Sequence, residues 1–284
     1  MTRFIDTHHH FWDPTEAEYP WMTDDLAVIR QKFSPDDLRP LINQVGVTDT
    51  ILVQTRSSYE ESLEFLAAAE ETDFILGVVA WVELTSETVS DDLHRLKQSK
   101  GGSHLVGIRH QVHDEEDADW LLRPDVQRGL AVVAEHDLTY DLLLRPRELP
   151  AAIKAVNAMP NARWVLNHIA KPEIASGGWE PWASDIRALA EASPSCWVKL
   201  SGIVTEADWA NWAADDLSPY VQHVIDCFGT DRCMVGSDWP VCLLAAPYDT
   251  VMDTMRNLLS ALREEERQRV LSENAMTAYG IALR

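Results

Sequence analysis

Three short stretches of the chain carry residues able to do acid–base or metal chemistry. They are Asp6-Thr7-His8-His9-His10, Asn167-His168-Ile169-Ala170-Lys171-Pro172 and Gly236-Ser237-Asp238-Trp239-Pro240. Side chains alternate along an extended segment, so His8 and His10 point the same way and His9 turns aside to pack. Two imidazoles so placed can share one metal ion or one substrate oxygen. A carboxylate at Asp238 can complete a metal site or take a proton from water, and His168 can donate to a developing oxyanion. Each stretch alone is a weak signal, because a single histidine after a strand is commonly a hydrogen-bonded structural residue. Their weight depends on what brings them together.

Eight runs read as short strands, at 3–6, 50–54, 74–80, 105–109, 140–144, 163–167, 197–200 and 233–236. Several are almost wholly apolar, as strands covered on both faces should be. One helix opens at Ser34-Pro35-Asp36-Asp37-Leu38, with an N-cap serine and a proline in the first turn. Further helical patterns lie at 58–70, 124–136, 146–159, 179–192, 218–228, 249–262 and 264–279. Alternating strands and helices build a parallel sheet, and eight repeats predict one α/β domain over 1–284, a distorted (β/α)8 TIM-type barrel. An open doubly wound sheet fits less well, since no Gly-x-Gly-x-x-Gly turn follows the first strand. In a barrel the three stretches fall at the C-terminal ends of strands one, six and eight, the end where such folds carry their active sites. Residues 11–33, with Trp12, Tyr19, Pro20, Trp21 and Met22, are too many for an ordinary strand–helix loop and predict an aromatic lid. Residues 204–216, with Trp209 and Trp212, follow the seventh strand.

The formal charge of −22 disfavours nucleic acid and anionic membrane as partners and favours a neutral small molecule. No apolar run of about 18 residues is present to span a bilayer, and the first residues lack the apolar core of a signal peptide. The four cysteines, Cys196, Cys227, Cys233 and Cys242, form no Cys-x-x-Cys pair and read as reduced thiols of a cytoplasmic protein. Eleven tryptophans fit core and rim packing and leave a homo-oligomeric interface open.

His-x-His after the first strand, histidine after the sixth and Gly-Ser-Asp-Trp-Pro after the eighth resemble the amidohydrolase superfamily. The runs Ile203-Val204-Thr205-Glu206-Ala207-Asp208-Trp209 and Gly236 to Leu244 resemble its amidohydrolase-2 branch, the sugar lactonases of the L-fuconolactonase and L-rhamnonolactonase kind. The resemblance implies hydrolysis of a sugar-acid lactone to the aldonate in sugar catabolism. Asp238 would be the general base toward water. His8 and His10, or a metal they hold, would polarise the carbonyl, with His168 at the oxyanion. The chain departs from the binuclear members of that superfamily. Arg109 stands at the fourth strand end where a bridging carboxylated lysine would be needed, and the fifth strand ends Leu142-Leu143-Leu144 without a histidine. A guanidinium does not ligate metal. The expectation is therefore one divalent ion, zinc foremost, on His8, His10 and Asp238, with metal-free chemistry kept open beside it.

Sugar hydroxyls require directional partners. Gln54, Arg109, His110 and Lys171 are the expected ones, with Trp239 and the lid residues Trp12 and Trp21 stacking on the apolar sugar face. Lys199 and Ser201 share one face of the seventh strand and are placed behind the site. The competing readings are a metal-dependent decarboxylase, a dicarboxylate lactonase on the same barrel, and a sugar-binding homologue without catalysis.

Overall fold

The computed structural model describes residues 3–282. Its strands are Ile5–His9 (β1), Asp49–Val53 (β2), Ile75–Ala80 (β3), Leu105–His110 (β4), Thr139–Leu142 (β5), Trp164–Leu166 (β6), Cys196–Leu200 (β7) and Cys233–Val235 (β8). They form one parallel sheet in sequential order. A parallel bridge between His9 and Trp239, just beyond β8, closes the sheet on β1, with Asp238 N–H donating to His8 C=O (2.8 Å) and His10 N–H to Trp239 C=O (2.7 Å). The expected (β/α)8 barrel is thus the observed fold.

The outer ring consists of Pro35–Val45 (α1), Tyr59–Glu71 (α2), Val89–Gln98 (α3), Pro124–Glu135 (α4), Leu149–Ala158 (α5), Trp182–Ala192 (α6), Ala214–Phe228 (α7) and Tyr248–Leu258 (α8). The sequence reading has no counterpart for α3, although Val89, Leu93 and Leu96 repeat at helical spacing and are all buried. Helix α7 begins four residues before the expected Ser218. Its start is set by Asp216, whose carboxylate accepts from the Ala213 N–H (2.8 Å), rather than by the Ser218-Pro219 pair. The last helical pattern is divided into Glu264–Gln268 (α9) and Asn274–Ala278 (α10) by a π turn at Arg269–Glu273.

Ile5, Ile51, Val53, Val79, Val165, Trp197 and Met234 from the strands pack with Ala275, Met276, Ala278 and Tyr279 of the chain end in one buried cluster. The C-terminal helix thereby stoppers the N-terminal end of the barrel and leaves the opposite end for chemistry. Strand β1 does not alternate evenly. Its register against β2 shifts between Asp6 and His9, so Ile5 and His8 face the interior while Asp6 turns toward β8.

Residues 11–33 fold over the C-terminal end. Their neck is tied by paired backbone hydrogen bonds between Trp12 and Phe33 (2.8 and 3.2 Å). Among the described residues, no helix is long and apolar enough to cross a membrane.

Candidate active site

At the C-terminal end of the barrel, His8, His10, His168 and Asp238 converge. The Asp238 carboxylate lies 3.4 Å from His10 Nε2, 3.7 Å from His8 Nε2 and 3.8 Å from His168 Nε2. All four side chains are buried. His10 is oriented by its Nδ1, 2.7 Å from the Val53 carbonyl, and His168 by its Nδ1, 2.9 Å from Ser201 Oγ. His9 faces away, with Nε2 2.9 Å from Thr50 Oγ1.

The backbone around these groups is strained where it must present them. Asp238 has φ of 59°, and His168, Ile169, Ala170 and Lys171 all have φ between 49° and 61°. Four consecutive non-glycine residues in the left-handed region cost free energy at each step, most of all at β-branched Ile169. Such strain persists when surrounding contacts over-determine it. Here the Trp182 indole N–H donates to the Ile169 carbonyl (2.7 Å), and Asp6 clamps the other turn. The Asp6 carboxylate accepts from Ser237 N–H (2.8 Å), Ser237 Oγ (2.6 Å), His8 N–H (3.1 Å) and Tyr248 OH (3.1 Å). Gly202 is required by close approach. A Cβ there would stand 2.5 Å from His168 Nδ1 and 3.0 Å from Asp238 Oδ2.

Beneath these groups a ring of buried polar side chains crosses the barrel. Arg109 donates to His8 Nε2 (3.1 Å), to Asn167 Oδ1 (3.2 Å) and to Gln54 Oε1 (2.8 Å). Asn167 donates to Asp141 (2.8 Å), as do Lys199 (2.7 Å) and Tyr279 OH (2.9 Å). Lys199 Nζ also lies 3.3 Å from His8 Nδ1. Burial lowers the pKa of Arg109 to about 10, against the pull of Asp141 and Asp238, so it remains a cation.

Burial keeps His8, His10 and His168 below the ordinary histidine range. Each is an unprotonated imidazole near neutrality. Burial opposes ionisation of Asp238, but its neighbours His168, His10 and Lys171 outweigh it and bring its pKa to about 2. The donor atoms of His8, His10 and Asp238 all lie within 4.8 Å of one another. Two imidazole nitrogens and a carboxylate oxygen suit zinc, which takes such ligands at about 2 Å with a further position left for water or substrate. These residues fit one divalent ion, on the condition that Arg109 releases His8 Nε2.

A cavity of about 400 Å³ opens above the cluster. His10, His168, Asp238, Arg109 and Lys171 line it. Three expected substrate contacts do not. Gln54 is buried under Arg109. His110 turns outward, stacked on Trp120 and engaged by Trp81 and Glu115, because adjacent strand residues face opposite ways and Arg109 takes the interior. Trp239 packs against Phe11 and Phe33. From the lid, Trp21 lines the cavity, whereas Trp12 is sequestered with its indole N–H on the Ile29 carbonyl (3.0 Å).

His113, Asp114, Arg145, Glu206 and Trp209 also line the cavity, and the sequence reading singled out none of them as a site residue. They come from loops after β4, β5 and β7, where no period reveals direction. Glu206 and Trp209 do lie within the run that carries the lactonase resemblance. A larger cavity of about 730 Å³ lies at the opposite barrel end, around Tyr279 and Arg163, away from the end that serves chemistry in this fold.

Comparison with known proteins agrees with this geometry. Residues 5–281 match the Amidohydrolase family model. The chain is 38% identical to an L-fucono-1,5-lactonase of Burkholderia ambifaria over 87% of this chain and 84% of that protein. It is 36% identical to an L-fucono-1,5-lactonase of Burkholderia multivorans over 98% and 96%. The crystal structure of a Burkholderia multivorans amidohydrolase with bound zinc superposes with a TM-score of 0.93 at 34% identity, covering 99% of this chain and 100% of that one. The chain belongs to the amidohydrolase family.

Proposed function

We propose that the protein hydrolyses a sugar-acid lactone to the open aldonate. The observation that carries this reading is the convergence of one ionised carboxylate, Asp238, with three neutral imidazoles and the Arg109 guanidinium beneath a cavity of about 400 Å³ at the C-terminal end of the barrel. The names of the two Burkholderia relatives support it.

Lactone opening needs a positioned water, a polarised carbonyl and a stabilised oxyanion. Asp238 accepts the proton of the attacking water and returns it to the ring oxygen as the C–O bond breaks. A carboxylate with so low a pKa is a weak base, so electrophilic assistance at the carbonyl has to carry much of the rate. His168, with Nδ1 accepting from Ser201, turns its Nε2–H toward the oxyanion, and the Arg109 cation adds its charge beside it. A divalent ion bound to His8, His10 and Asp238 would supply a Lewis acid for the carbonyl and a more acidic water. Lys171 contacts ring hydroxyls.

The test is a panel of aldono-1,4- and aldono-1,5-lactones followed with a pH indicator, before and after chelation. Ring opening well above the buffer rate supports the reading, and no lactone opened faster than in buffer, with or without added zinc, refutes it.

A further inference from the structure

The cavity contains an ion pair that the ring-opening chemistry does not consume. Lys171 Nζ donates to Glu206 Oε1 across 2.8 Å, and the two side chains are 18% and 23% exposed. A pair at this depth gives up hydration for little net stability. Its placement relative to the reacting centre is fixed twice over. Lys171 ends the left-handed turn that begins at His168. Glu206 ends the short turn Val204–Glu206, just past Gly202, the glycine against which His168 and Asp238 pack. The segments that position the reacting groups therefore also carry the pair.

We propose that Lys171 and Glu206 jointly read two adjacent hydroxyls of the lactone ring, the ammonium donating to one oxygen and the carboxylate accepting from the other. Adjacent hydroxyl oxygens are spaced by about one hydrogen-bond length, roughly 2.8 Å, which is also the separation of the pair. This inference rests on the lactonase reading and narrows its substrate class to polyhydroxylated, uncharged rings. A substrate carboxylate is the competing occupant for Lys171. Glu206 already holds that ammonium, and a second carboxylate beside it would meet like-charge repulsion. A ring without hydroxyls would strip water from the ion pair and offer it no polar partner in return, which is how a polar site rejects such an analogue.

The experiment compares kcat/KM for an aldono-1,5-lactone with that for δ-valerolactone, the same ring without hydroxyls, in wild type, Glu206→Gln and Lys171→Met. Wild type is expected to prefer the hydroxylated ring by about 100-fold or more. Each variant is expected to reduce that preference at least about 10-fold. If a single variant misfolds, Lys171→Met/Glu206→Leu, which leaves no unpaired charge, decides by the same criterion. A preference ratio that stays within about twofold of wild type overturns the inference. So does a wild type that opens both rings equally well, or one that prefers a carboxylated lactone. A wild type that opens no lactone refutes the functional reading instead.

Discussion

Lys199 donates to Asp141 across 2.7 Å inside the barrel, with both side chains fully buried. The ammonium also lies 3.3 Å from the back of His8. Removing one member of such a pair strands a charge, whereas removing both leaves no charge behind, at the cost of the hydrogen bonds that Asn167 and Tyr279 give to Asp141. Lys199→Met is expected to lose about 3–5 kcal/mol of stability, and Lys199→Met/Asp141→Leu to recover part of it. Denaturant unfolding in the presence of chelator reads both. Equal losses in the single and double variants would show that the pair is not coupled.

Gly202 tests how tightly the reacting groups are placed. Its φ of 60° and the 2.5 Å approach of a Cβ to His168 both oppose any side chain. Gly202→Ala is expected to lower kcat/KM about 100-fold, because a displacement of about 1 Å at reacting groups costs that much. Steady-state kinetics beside a thermal melt separates the effect from unfolding. An active, stable Ala variant would show that the cluster has slack.

The fold was legible in the sequence because eight apolar runs and their intervening amphipathic helices are local patterns. His8 and His10 were legible because alternation applies at the end of β1, and the same alternation would have excluded His110 once Arg109 was placed inward. The Asp6 clamp was hidden by a register shift that no periodicity records. The cavity wall of His113, Arg145 and Glu206 was hidden because loop paths depend on tertiary contacts. Lys199 was placed behind the site, but its ties to Asp141 and His8 come from strands far apart in sequence.

His113 makes a pH prediction. Burial, reinforced by Lys171, Arg145 and Arg109, lowers its pKa from about 6.5 to about 3. The unfolded chain therefore binds a proton between those values that the folded chain refuses. Its contribution to stability is complete above pH 6.5 and is lost as pH falls from 6.5 toward 3. His113→Gln should flatten the slope of unfolding free energy against pH by up to about 1.4 kcal/mol per pH unit near pH 5. An unchanged slope in denaturant titrations of the variant would contradict the assignment.

Zinc binding should be read without turnover. The His8, His10 and Asp238 donor set predicts one equivalent per chain by calorimetry after chelation, with a concentration-dependent rise in melting temperature. His10→Gln is expected to weaken binding at least about 10-fold. Arg109→Met, which frees His8 Nε2, is expected to tighten it. Wild-type affinity in His10→Gln would place the ion elsewhere.

In the proposed mechanism Asp238 activates water for lactone opening at this cluster. The most direct measurement is kcat for an aldono-1,5-lactone by wild type and Asp238→Asn, each with chelator and with saturating zinc. Asparagine keeps the shape and cannot take the proton, so a fall of at least about 100-fold in a protein that still folds is predicted under both conditions. A variant retaining wild-type kcat would contradict the account and move the base to another group in the cavity.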